Sequence, residues 1–169
     1  MKSKTDIMKN KNVFFSVLKP LIFLFFFLSV SAHAQEATRM VIRNIRITYP
    51  ELERTNLSNA CEVIKGTAVL PPGEYIWALV HRFDFMGQWW PQAGGMPIDT
   101  IWSFNVCLGE LKDIGREFEI AIITLDQTEH FRLNQYLDDA RATGKYNPIS
   151  FPPTTSPAVY RTVIKTGHH

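Results

Sequence analysis

Between Ile101 and Leu108 apolar and polar positions alternate without a break: Trp102, Phe104, Val106 and Leu108 share one side, and Ser103, Asn105 and Cys107 the other. A period of two is the mark of a strand with one buried face, and Gly109 ends it. Residues 40–49 alternate in the same way after their first positions, with Ile42, Asn44, Ile45 and Ile47 nearly in step until Pro50. A further run, 61–70, stops at the turn Pro71-Pro72-Gly73. Segments 75–81 and 118–125 are apolar on both sides, as central strands are, and 160–165 reads as the last strand.

One segment changes period. Leu133, Tyr136, Leu137 and Ala140 fall on one helical face, Asp126 with Glu129 three positions on is the Asp form of a capping box, and Gly144 supplies a stop. The pattern predicts a helix over 127–143. Residues 147–157 carry too much proline for regular structure and predict an extended covering loop. About seven short strands with turns between them predict a mainly β, immunoglobulin-like two-sheet sandwich with one helix inserted before the last strand. A small closed barrel is the alternative. Trp77, Leu79, Phe104, Val106, Phe118, Ile120 and Ile122 are the expected core.

The start of the chain has another purpose. Lys2, Lys4, Lys9, Lys11 and Lys19 precede the apolar block 21–28, and Ala32-His33-Ala34 follows as a small-x-small cleavage site. This reads as a secretory signal peptide over 1–34, because the apolar block is too short for the roughly 20 residues of a spanning helix. The rest, 35–169, is one domain, with no membrane insertion once the leader is cleaved. Five of the 18 Lys/Arg and one of the 16 Asp/Glu lie in the leader, which leaves 13 against 15 and a net charge of −2. Nucleic acid is therefore not an expected partner, since the basic excess belongs to the leader. An exported, periplasmic or extracellular bacterial protein is the expectation, and the two cysteines, Cys61 and Cys107, are candidates for one disulfide. In an immunoglobulin-like order the second strand pairs antiparallel with the fifth, so Cys61 at the start of one meets Cys107 near the end of the other. Cys107 shares a side with Ser103 and Asn105, which restricts the bridge to one sheet.

Catalytic signatures are not found: the sequence has no Gly-x-Ser-x-Gly, HExxH, P-loop or GxGxxG. His81 and His130 have no His or Cys at metal-ligand spacing, His168 and His169 read as a tail, and pairs such as Asp138-Asp139 and Glu117/Glu119 suit solvated faces. No cofactor or metal is expected. The aromatic stretch FDFMGQWWPQAGG, 83–95, carries the remaining signal. In extended backbone Trp89 and Trp90 point to opposite sides, so both cannot enter one core. An exposed indole near Gln88, Gln92 and Asp84 has the makings of a carbohydrate contact, the ring taking a C–H face and the polar groups the hydroxyls. The competing reading is structural, with Pro91 and Gly94-Gly95 forming a tight wrap.

The order Gly66, Pro72-x-x-x-Ile76-Trp77-x-x-Val80, Trp90-Pro91-Gln92, Trp102-x-x-x-Val106-x-Leu108-Gly109, Gly115-x-x-Phe118-x-Ile120 resembles an uncharacterised group of exported or membrane-tethered bacterial immunoglobulin-like modules. That resemblance spans nearly all of 35–169, implies the fold, and brings no catalytic residues with it. The expected function is an exported, non-catalytic binding or interaction module with a protein or glycan partner. The alternatives are a carbohydrate-binding module using the Trp89/Trp90 loop and a small periplasmic hydrolase pairing His81 with a distant carboxylate.

Overall fold

A computed structural model describes residues 43–169; the expected leader, its cleavage site and the first residues of the 40–49 segment lie outside the described residues. The elements in chain order are β1 (Arg46–Tyr49), β2 (Thr55–Leu57), β3 (Cys61–Thr67), β4 (Tyr75–Arg82), β5 (Trp90–Gly95), β6 (Ile101–Cys107), a 3-10 turn (Leu111–Asp113), β7 (Glu117–Leu125), α1 (Gln127–Thr143) and β8 (Val159–Lys165). They form a three-stranded sheet in the order β1-β3-β6 and a five-stranded sheet in the order β2-β8-β7-β4-β5. Pairing is antiparallel except between β2 and β8. With the three-residue β2 set aside, the second and fifth strands pair in one sheet, which is the immunoglobulin-like order. The sheets stay separate, so the described residues form a sandwich.

Two cores explain why β4 and β7 are apolar on both sides. Ile76, Ala78, Val80, Ile120 and Ile122 face the other sheet, where Ile64, Trp102 and Val106 meet them. Trp77, Leu79, Ala121, Ile123 and Leu125 face outward, under Leu133 and Leu137 of α1. The helix follows its sequence signals: Asp126 Oδ1 accepts from the Glu129 amide at 2.9 Å, and Gly144 ends it in the left-handed region, φ 68°. The 147–157 segment runs along this outer layer, exchanging backbone hydrogen bonds between Ile149 and Trp89.

Four of the elements differ from expectation. Residues 43–45 are not strand, so β1 is shorter than the alternating pattern; β2 is too short to carry a period; and β5 occupies most of what reads as a wrap around Pro91 and Gly94-Gly95. The fourth is in β6, where Phe104 is only partly buried while the other six expected core residues are buried. It stacks on Trp102, ring centroids 5.5 Å apart, at the open flank of the three-stranded sheet. Full burial would make Phe104→Ala cost roughly 3–5 kcal/mol. A half-covered ring should lose about 2 kcal/mol in a urea titration, and a loss of the full-burial size would show that something covers this flank in solution.

Both glycines opposite a buried tryptophan are there for space. Gly66 is the register partner of Trp102, and Gly94 of Trp77. A Cβ at either position would run into the partner's indole, and at Gly66 also into the Arg46 carbonyl. Each large ring thus lies over a neighbouring strand that has no side chain there.

Trp77 and His130 form the most consequential polar contact of the outer layer. The Trp77 indole N–H donates to His130 Nδ1 at 3.0 Å, and the His130 ring stacks on Tyr75 with centroids 3.7 Å apart. Nδ1 must be unprotonated to accept, and burial holds the His130 pKa below its usual 6.5. A depressed folded pKa means that the neutral ring stabilises the fold fully above pH 6.5, and that this contribution is lost as pH falls through the folded value. The melting temperature should therefore fall below pH 6.5 more steeply in the parent than in His130→Phe. Parallel profiles would exclude this proton as the cause.

Candidate ligand-binding cavity

The edge strands β5 and β6, one from each sheet, approach on the same side of the sandwich. Gln92 of β5 joins them: its Oε1 accepts from the Cys107 amide of β6 at 2.9 Å, while its Nε2 donates to the Trp90 carbonyl at 3.1 Å. Beside this link lies a cavity of about 840 Å³, walled by Val80, Trp90, Phe118, Asn105, Arg82 and Tyr146 among others. Its floor is the inner face of β4 and β7. Its rim includes Phe85, Glu110, Lys112 and, from the end of α1, Arg141.

The charged groups here are paired before any ligand arrives. Arg82 is bound to Asp113, which is nearly buried, and also to Asp84, and its guanidinium lies 3.9 Å over the Phe85 ring. Asp113 in turn accepts from the Glu110 amide at 2.7 Å. Lys112 pairs with Glu110, and Arg141 with Asp138. Close behind, Lys165 is wholly buried on the inner face of β8 and donates to the Leu108 and Glu110 carbonyls at 2.7 and 2.6 Å and to His168 Nδ1 at 2.9 Å. Burial lowers its pKa, and the nearby Asp113 and Glu110 oppose that shift. The effect is to fasten the end of β8 to the turn that forms one wall.

The five residues singled out in the sequence separate. Trp90 faces the cavity, half-buried, with its indole N–H on the Tyr146 carbonyl at 3.1 Å. Trp89 points the other way, is 8% exposed, stacks on His81 at 4.9 Å and meets Phe151 edge-on. Gln92 lines the cavity, but both ends of its amide are engaged by the backbone. Asp84 is exposed on Arg82, which holds its carboxyl below the usual carboxylate range through a hydrogen bond. Gln88 is exposed, and its carbonyl accepts from His81 Nδ1 at 2.9 Å. Asn105, Phe85, Arg82, Arg141 and Tyr146 join the site without having been marked. They come from separate elements, a strand of each sheet, the helix and two loops, which meet where β5 lies opposite β6.

His81 lies on the outer face, because Val80 takes the cavity side and successive strand residues alternate. Glu119 is its cross-strand neighbour, with a pKa raised chiefly by burial. Among the described residues no group of three or more His, Cys, Asp or Glu is placed to hold a metal ion, and no helix is long and apolar enough to cross a membrane. Cys61 and Cys107 are direct register partners and are disulfide-bonded, Cα atoms 3.9 Å apart, with Cys107 on the cavity wall. Such a bond is characteristic of oxidising compartments.

No family model matches the sequence, and no curated protein does. Among solved structures, that of murine CRIg aligns with a TM-score of 0.32 and 6% identity, over 76% of this chain and 99% of that one.

Proposed function

We propose that the protein is an exported, non-catalytic binding module and that its partner docks in the cavity between β5 and β6. One observation carries this reading: a half-buried tryptophan, clamped through its N–H, faces a cavity of about 840 Å³ whose other walls mix aromatic rings with amide and guanidinium groups. Aromatic faces with a few fixed polar groups are the usual composition of binding pockets. The non-enzymatic part rests on His81, whose Nδ1 hydrogen goes to a backbone carbonyl and whose ring is stacked on Trp89, away from the cavity. The expected partner is a protein or a glycan.

Panels of glycans and of peptides, screened against the protein recovered from an exporting host, test the proposal. Trp90→Ala should weaken any binding at least tenfold, because truncating a tryptophan anchor at a binding surface costs about 2 kcal/mol or more, and should shift the melting temperature by only a few degrees. Trp89→Ala should instead destabilise the fold. A ligand indifferent to Trp90→Ala, or a hydrolytic activity lost in His81→Ala, would overturn the assignment.

A further inference from the structure

We infer that the partner is an extended polypeptide segment that adds to the sandwich as a strand beside β6; this rests on the cavity reading above. The two sheets have four edges among the described residues, and three of them carry features that discourage strand pairing. β1 has four residues with a register break before Pro50, β2 has three residues, and β5 holds Pro91, two glycines and a register shift. β6 has none of these. It is seven residues long, in unbroken register with β3, and contains neither proline nor a charged residue. Exposed edges of that kind are the ones natural proteins normally guard.

The hydrogen-bond pattern says which groups are on offer. The Leu108 amide donates to the Ala60 carbonyl, so Cys61 and Cys107 form a non-hydrogen-bonded pair, and the backbone groups of Cys107 point away from β3. The same holds at every second residue: Cys107, Asn105, Ser103 and Ile101. The two ends of this row are occupied, since the Cys107 amide goes to Gln92 Oε1 and Ile101 exchanges hydrogen bonds with Ile98. Between them, the amides and carbonyls of Ser103 and Asn105 have no partner among the described residues. Two such residues spaced by one offer four hydrogen bonds in the repeat of a polypeptide strand, which a saccharide's hydroxyls do not reproduce.

Side chains fit the same occupant. An added strand would place every second residue on the inner side, next to the open flank of Phe104 and over the cavity, whose lining includes Asn105 and Cys107. A segment with apolar residues at alternate positions is therefore the matching chemistry.

The test uses a phage-displayed library of random decapeptides selected on the protein from the exporting host, with the recovered peptides resynthesised. Asn105→Pro deletes one outward amide, and the β3 ladder keeps its bonds because that N–H faces away from it. It should weaken the peptides at least tenfold, and Ser103→Pro should do the same while Ser103→Ala, a side chain outside the cavity lining, changes their affinity less than twofold; the Ser103 pair serves alone if Asn105→Pro does not fold. Hydrogen exchange at the Ser103 and Asn105 amides of the unaltered protein should slow on peptide addition. Peptides that depend on Trp90 yet leave both amides exchanging freely would overturn strand addition and leave the cavity reading standing. Glycan binding with no peptide recovered would do the same, and pairing of β6 with a second copy of the chain would overturn a separate peptide partner.

Discussion

Trp77→Ala should lower the free energy of unfolding by about 3–5 kcal/mol, a large part of what holds a domain of this size together. The indole is fully buried between the five-stranded sheet and α1, lies over Gly94, and spends its only donor on His130. Truncation opens a cavity under Leu133 and Leu137 and leaves the Gly94 backbone uncovered in the same step. Because Trp77 serves the outer layer alone, the loss should appear with α1 loosened, as a fall in helical circular dichroism ahead of the main transition. A variant that melts within a degree or two of the parent would show that α1 does not depend on this ring.

The second large effect is expected from the disulfide. Removing it by Cys61→Ala with Cys107→Ala should cost roughly 4 kcal/mol on the chain-entropy model, since the bridge joins residues 46 apart. The two cysteines face each other across β3 and β6 in a register that the strands maintain by themselves, so the native sheet should survive the change. Stability should fall through the denatured state, with the urea midpoint lowered; the parent chain before reduction should show no free thiol. A change under about 1 kcal/mol would mean that the unfolded chain already keeps β3 and β6 together.

What could be read from the chain follows from how local each signal is. The helix is stated by Asp126, Gly144 and its own apolar face, all within a few residues, and its bounds come out at 127–143. The central strands are legible because β4 and β7 are covered on both sides. The disulfide is legible from position in the strand order together with side-chain alternation. β5 is not, because Pro91 and Gly94-Gly95 are poor strand residues chosen for an edge and for the space beneath Trp77. The half-burial of Phe104 is equally invisible: its alternation is perfect, and only the missing neighbour beyond β6 exposes it. The site is the least legible part, since Trp90 alone of its aromatic lining was marked, while Arg82, Asn105, Arg141 and Tyr146 converge only when the two sheets close.

The pairing of Trp77 with Gly94 and of Trp102 with Gly66 has a consequence for how the sequence can drift. Neither partner can change alone: a side chain at the glycine strikes the ring, and a smaller residue at the tryptophan leaves a hole that the glycine cannot fill. The Trp77–Gly94 pair therefore behaves as one heritable unit, passable only through a double exchange that moves bulk from one strand to the other, whereas Gly66 is held by the Arg46 carbonyl as well as by Trp102. Descendants of this chain should show positions 94 and 77 varying as a linked couple, with alanine or larger at 94 accompanied by a smaller residue at 77, while position 66 stays glycine whatever stands at 102, because the Arg46 carbonyl does not move aside.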